Sequence, residues 1–409
     1  MNKLIITKMT IRKVLCTVCV LTEDNRIMEI RLEPADRESV LGNIYMAKTE
    51  NLAENIQSAF MQISPRQRCY FPLAESPQLI YSAGIKRNQS LRPGDEVIVQ
   101  VNRDAMKGKL PSLTSNLNFA GKYLVLTSGV KKVGWSSRLL AEDKARIAKW
   151  LAPHIEQAER PYGIVIRTNA GDASKEEILS ELSYLQEQFQ KVTVNGKNRT
   201  CFSLLYKPDP FYITAIRDSY SHSLDEIVTD IPEIYDEVRA YLVNVSAADQ
   251  EKLRLYQDSL LPLYKLYRVE TALEAVTQER VWLNSGGFLM IQQTEAFVSI
   301  DVNSGKYTGH KKAEETYRKI NLEAAEEIAR QLRLRNLSGI ILIDFINMKN
   351  EDHRDELFHV LKKHLRRDHI KCKAVDITPL HILEMTRKKV RRPLIEDLRE
   401  LGFVSTEKK

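Results

Sequence analysis

The stretch Phe297-Val298-Ser299-Ile300-Asp301-Val302-Asn303-Ser304-Gly305, followed after a helical segment by Gly339-Ile340-Ile341-Leu342-Ile343-Asp344, decides how this chain is read. Both runs have strand character, and each places an aspartate at or near its end. Strands alternate their faces, so Asp301 and Asn303 project to the same side. A carboxylate at the end of a buried strand is costly unless something charged meets it there. Between the runs, Ile320, Ala324, Ile328 and Leu332 recur every four residues, which predicts a helix over 312–335 with one buried face. A right-handed strand–helix–strand unit would bring the two strand ends together. From spacing alone two readings stay open. The acids either cap turns and helices, as aspartate commonly does, or share a divalent cation, for which oxygen-only ligands suit Mg²⁺ or Mn²⁺.

The rest of the chain sets bounds. At 409 residues it is too long for one simple core, and two to four domains are expected. A hydrophobic share of 43% with 28% charged residues describes an ordinary globular protein. The 61 Lys+Arg against 54 Asp+Glu give a net charge of +7, permissive for a polyanionic partner without demanding one. The cysteines (Cys16, Cys19, Cys69, Cys201, Cys372) are odd in number and scattered, which argues against a disulfide framework. Cys16-Thr17-Val18-Cys19 lies in an apolar run, and no second C-x-x-C exists to close a zinc site, so buried structural thiols are expected. No run of about 18 uncharged apolar residues occurs, and a cytoplasmic protein without a membrane span is expected.

Along the chain, residues 3–7, 14–21 and 27–32 read as strands. Residues 42–48, 59–63, 69–73 and 96–101 read as short strands of a small barrel of the oligonucleotide-binding type, with Arg92-Pro93-Gly94-Asp95 as a turn. Residues 119–205 alternate strand and helix, and Ser174 with Glu177 forms a capping-box signature. Residues 207–270 read as mostly helical and charged, punctuated by prolines. Residues 280–400 return to α/β order, and the last residues, 406–409, read as frayed. The fold class is a mixed, multidomain α/β architecture.

The ordered series 299–305, 321–335 and 339–348, together with Gly42-Asn43-Ile44-Tyr45 near the N-terminus, resembles the ribonuclease E / ribonuclease G family. The resemblance covers most of the chain, to about residue 400. It implies a ribonuclease-H-like fold (1–36 and 207–278) split around an S1 domain (37–118) and a 5′-sensor (119–206), followed by a DNase-I-like catalytic subdomain (279–400) and a tail (401–409). It implies Mg²⁺, with Mn²⁺ as a substitute, held by Asp301 and Asp344. Asn303 would support the scissile phosphate or the metal shell. The implied reaction is hydrolysis of single-stranded RNA in rRNA processing or mRNA decay, leaving a 5′-phosphate and a 3′-hydroxyl. Phe60 and Phe71 match base-stacking aromatics of the S1 domain, and Lys107 matches a basic residue beside the RNA; barrel-core rings and a solvated loop lysine are the plainer readings. Gly121, Val125, Arg167 and Thr168 match the pocket for a 5′-monophosphate, with Arg138 a further candidate, although a lone arginine more often forms a surface ion pair. The runs Arg366-Arg367, Arg387-Lys388-Lys389 and Arg391-Arg392 would line an RNA channel or form solvated faces.

Three departures from the family pattern bear on these expectations. The paired-cysteine zinc link and small domain that build the family's dimer are not in this sequence, so no structural zinc is expected, and the oligomeric state stays open between a monomer and a non-zinc dimer. Asn347 stands where the family often has Asp. Lys131-Lys132 falls in a variable sensor loop. The alternatives are a non-catalytic RNA-binding protein that uses its S1 module, and a nuclease directed at DNA.

Overall fold

The computed structural model describes residues 1–37, 39–83, 90–105, 109–155, 160–218, 224–245, 247–305 and 313–404. The chain divides into two compact units. One comprises Met1–Glu38, Leu224–Ala240 and Ala248–Lys409, the other Ser39–Ser223 and Tyr241–Ala247. The first unit is therefore built from segments far apart in sequence, with the second inserted between them. Among the described residues, no helix is long and apolar enough to cross a membrane.

The first unit holds two sheets. Strands Asn2–Ile11, Val14–Glu23 and Arg26–Pro34 form an antiparallel meander. Its second turn, Asp24-Asn25, has both residues at positive φ, the backbone twist that suits a two-residue hairpin. Strands Glu226–Thr229 and Leu253–Leu255 add in parallel beside Asn2–Ile11. These two lie where the sequence read as mostly helical. At four and three residues they are too short to show alternation among charged neighbours. Cys16 and Cys19 are both buried in this sheet although they face opposite sides, and burial pushes their thiols up to about 11 and about 12. Thiols so placed are inert structural groups.

The second sheet has six strands, in the order Arg280–Trp282, Phe288–Gln293, Phe297–Asn303, Gly339–Asp344, Ile382–Arg387 and Cys372–Ile377. Its central pair, Phe297–Asn303 and Gly339–Asp344, is parallel and is joined through the helix Ala313–Leu334. Val298, Ile300, Val302, Ile341 and Ile343 point inward against Ile320, Ala324, Ile328 and Leu332 of that helix, and against Leu357 and Leu361 of helix Glu351–Leu365. The alternate residues, Phe297, Asp301, Ile340, Asp344 and Glu384, lie exposed on the opposite face.

In the second unit, Ile44–Ala53, Ser58–Ser64, Gln67–Pro72, Ser112–Thr114 and Glu96–Arg103 close into a five-stranded barrel, because the first strand also pairs with the last. This is the closed barrel expected from the short, turn-separated strands. A four-stranded sheet (Asn118–Ala120, Leu124–Thr127, Gly163–Ile166, Val133–Trp135) carries helices Ala141–Ile155 and Lys175–Thr193. The second helix opens on a capping box between Ser174 and Glu177, as its sequence indicated.

Candidate active site

The register of the parallel pair sets Asp301 directly beside Asp344. Adjacent strands lie about 4.8 Å apart, so two carboxylates share one small area of the exposed sheet face. Partial burial pushes the Asp344 carboxyl up, and the charge of Asp301 adds to the effect. Asn303, two residues on and on the same face, donates from Nδ2 to Asp301 Oδ2 at 2.7 Å. The chain then turns away at Gly305, where φ is +60° and a Cβ would sit 2.4 Å from the Gly286 carbonyl oxygen. Gly309 and Lys312 lie outside the described residues.

These residues fit a hard divalent cation. The donors are oxygens, two like charges are pressed together, and one amide fixes the orientation of one acid. Among the described residues, no group of three or more His, Cys, Asp or Glu side chains converges as a metal site. Two carboxylates are a donor set that could hold Mg²⁺, which keeps several waters and needs only one or two acids.

On the barrel, Phe60 pairs across strands with Tyr70, and both rings are half-buried. The Arg68 guanidinium lies 4.2 Å from the Phe60 ring centre. It is held there by Glu50 at 2.5 Å and by Asn51 Oδ1 at 3.1 Å. The expectation for Phe71 is corrected. Its ring is fully buried in the core formed by Met61, Val99 and Leu113 and cannot offer a face to a base. The alternation that turns Phe71 inward turns its neighbour Tyr70 outward. Lys107 lies outside the described residues.

Of the four sensor candidates, Arg167 and Gly121 are in contact: Arg167 Nη1 donates to the Gly121 carbonyl at 2.6 Å, and Nη2 to Asp218 Oδ1 at 2.7 Å. Thr168 shares a hydrogen bond with the Ser136 hydroxyl at 2.7 Å. Val125 is half-buried in strand Leu124–Thr127, opposite Val165. Arg138, exposed, donates its backbone N–H to the Ser136 hydroxyl. The loop after Gly121 also meets an acid the sequence did not point to, from helix Lys175–Thr193. The Glu181 carboxylate accepts from the N–H groups of Lys122, Tyr123 and Leu124 at 2.7, 2.8 and 2.7 Å. A Cβ at position 121 would fall 2.3 Å from the Glu181 carboxyl carbon, so the loop needs glycine there. Burial pushes Glu181 up, while those three N–H groups and Arg167 pull the other way.

A family model described as the Ribonuclease E/G family matches residues 118–390. The chain belongs to that family. Ribonuclease G of Salmonella typhimurium (strain SL1344) is 32% identical over 375 residues, covering 89% of this chain and 76% of the relative. Ribonuclease G of Escherichia coli (strain K12) is 32% identical over 378 residues, 90% of this chain and 76% of the relative. Ribonuclease E of Escherichia coli (strain K12) is 30% identical over 383 residues, 92% of this chain but 36% of that longer protein.

Within this Ribonuclease E/G member, several residues that shape the candidate sites escaped the sequence reading. Asn321, fully buried in helix Ala313–Leu334, donates to the Ile346 carbonyl at 2.7 Å and accepts from the Ile346 N–H at 3.0 Å, which pins the chain just after Asp344. Its signal was an amide beside Ile320 in an otherwise apolar helical stripe. Tyr70 would have been found by following strand alternation from Phe60 through the hairpin. Two of the basic runs are partly consumed inside the fold. Arg387 is almost fully buried against Asp368 at 2.7 Å, and Arg391 meets Glu29 at 3.0 Å.

Proposed function

We propose that this chain is a Mg²⁺-dependent endoribonuclease cleaving single-stranded RNA to leave a 5′-phosphate and a 3′-hydroxyl. The observation that carries the reading is the side-by-side register of Asp301 and Asp344 on an exposed sheet face, in a member of the Ribonuclease E/G family. In this reading the sheet of 279–400 is the catalytic subdomain and the split sheet of 1–36 and 207–278 its ribonuclease-H-like support. Residues 37–118 are an S1 module and 119–206 a sensor of the RNA 5′ end.

Asp301 and Asp344 would hold the cation. When bound, Mg²⁺ supplies neutralisation of phosphate charge and an acidified water. Asp301 is kept in one orientation by the Asn303 amide, so the acid need not reorganise as charge develops. Asn321 fixes the backbone that follows Asp344. Phe60 and Tyr70 offer rings for stacking on bases, which tolerates any sequence. Arg167 and Thr168 would read a 5′-monophosphate.

The test is cleavage of a 5′-monophosphorylated, A/U-rich single-stranded RNA with Mg²⁺, alongside the matching DNA. Asp301→Asn and Asp344→Asn should each lower kcat by about a hundredfold or more, and Asn303→Ala by about tenfold. RNA binding without turnover in the unaltered protein would instead favour a non-catalytic RNA-binding role, and equal cutting of DNA a broader nuclease.

A further inference from the structure

Asp218 is an acid held between two arginines. It is the last described residue of helix Phe211–Asp218. Two guanidinium groups hold it there: Arg167 Nη2 at 2.7 Å and Arg217 Nε at 3.2 Å. Both side chains of the Arg167–Asp218 pair are about a quarter exposed (24% and 25%), so an anion from solvent can reach them. The two arginines differ in their other anchors. Arg167 Nη1 is also anchored on the Gly121 carbonyl, independently of Asp218. Arg217, more deeply placed, holds the Ala120 carbonyl at 2.9 Å and faces Asp209 at 3.8 Å. Asp218 can therefore give up Arg167 and remain paired with Arg217.

The backbone of the loop after Gly121 offers an incoming phosphate little. The N–H groups of Lys122, Tyr123 and Leu124 are the obvious anion nest, but Glu181 already fills it. Glu181 rises from the middle of helix Lys175–Thr193 and lies tightly over Gly121, so it is a fixed part of the wall. Among the described residues, the carboxylates of Glu181, Asp218 and Asp209 stand around Arg167 and Arg217. Of these acids, Asp218 is the one in a salt bridge with Arg167.

Resting on the reading of Arg167 as the residue that meets the RNA 5′ end, we infer that Asp218 is a built-in competitor for the 5′-phosphate, setting the discrimination between 5′-monophosphate and 5′-hydroxyl RNA by occupying the Arg167 fork. A terminal phosphate binds by displacing Asp218 onto Arg217 and taking the freed Nη2, with the Thr168 and Ser136 hydroxyls alongside. Recognition in this chain is thus by side chains, and the affinity for the phosphate is lowered by the acid it must displace.

The experiment is fluorescence anisotropy of the full chain with a 2′-O-methyl oligonucleotide carrying either a 5′-monophosphate or a 5′-hydroxyl. The proteins are the unaltered chain, D218N, D218S, D209N and R167Q, each checked by thermal melting. D218N and D218S should raise the ratio of 5′-monophosphate to 5′-hydroxyl affinity about tenfold, the worth of one charge-assisted hydrogen bond. D209N, which removes the same charge from the same cluster without freeing Arg167, should leave the ratio nearly unchanged. The inference falls if D218N and D218S lower the ratio, as they would if Asp218 merely positions Arg167. It also falls if they do not change the ratio, or if D209N raises it equally. The underlying reading fails separately: R167Q would then leave the ratio unaltered, alone and combined with D218N. Should D218N melt below the assay temperature, the rise in melting temperature given by inorganic phosphate to D218S against the unaltered chain decides the matter, a larger rise in D218S supporting competition.

Discussion

Adjacent residues of one hairpin, Tyr70 and Phe71, separate into surface and core because a strand sends consecutive side chains to opposite faces. Tyr70 stands beside Phe60 on the outside, and Phe71 is sealed among Met61, Val99 and Leu113. The two rings should therefore fail differently. Phe60→Ala and Tyr70→Ala are expected to cost about 1–3 kcal/mol of single-stranded RNA affinity each, with little change in a urea melt. Phe71→Ala should instead lower stability by about 3–5 kcal/mol in the same melt. The opposite pattern, a stable Phe71→Ala protein that binds RNA poorly, would return Phe71 to the surface role its sequence suggested. Sequence reading could see that aromatics lay on these strands. It could not assign their faces, because a one-residue error in register inverts the whole strand.

The helix Ala313–Leu334 couples packing to the candidate active site. Its apolar stripe was plain in the four-residue recurrence of Ile320, Ala324, Ile328 and Leu332, all of which enter the core. The amide of Asn321 in the same buried face holds both polar groups of Ile346. Asn321→Leu leaves that N–H and C=O without their partner. It should cost about 2 kcal/mol in urea denaturation and lower kcat more than it alters KM, because the segment it releases follows Asp344. Long elements such as this helix were legible because many residues repeat one signal. The strands Glu226–Thr229 and Leu253–Leu255 were not, since their identity comes from pairing in parallel beside Asn2–Ile11. Beyond helix Glu351–Leu365 the sequence indicated a single strand, and the pairing of Cys372–Ile377 with Ile382–Arg387, which completes the sheet on the far side of Gly339–Asp344, needed tertiary information.

Across the molecule, Glu29 ties together segments that the sequence holds far apart. It accepts from Arg31 at 2.7 Å and from Arg391 at 3.0 Å, and it faces His369 at 3.7 Å. Burial alone would raise this carboxyl, but Arg31, His369 and Arg391 outweigh it and hold Glu29 well below its ordinary value. A depressed acid contributes stability that is complete above its unfolded value of 4.5 and is lost as pH falls below it. His369, held down by burial, works in the same direction from its ordinary 6.5 downward. Glu29→Gln should therefore be destabilised by about 3 kcal/mol at neutral pH. The gap to the unaltered protein in urea melts should narrow as pH drops below 4.5. A gap that stays constant with pH would mean that the network's charge is irrelevant to stability. By itself the sequence determined the strand character of the runs carrying Asp301 and Asp344, the helix between them, the strands of the barrel and the family, because each is written in local periodicity or in an unbroken order of motifs. Only the tertiary structure decided that Asp301 lies level with Asp344, that Tyr70 faces outward, that Glu181 fills the loop after Gly121 and that Asp218 holds Arg167. Those facts depend on register and on approach between distant segments, and no local pattern of residues encodes either one.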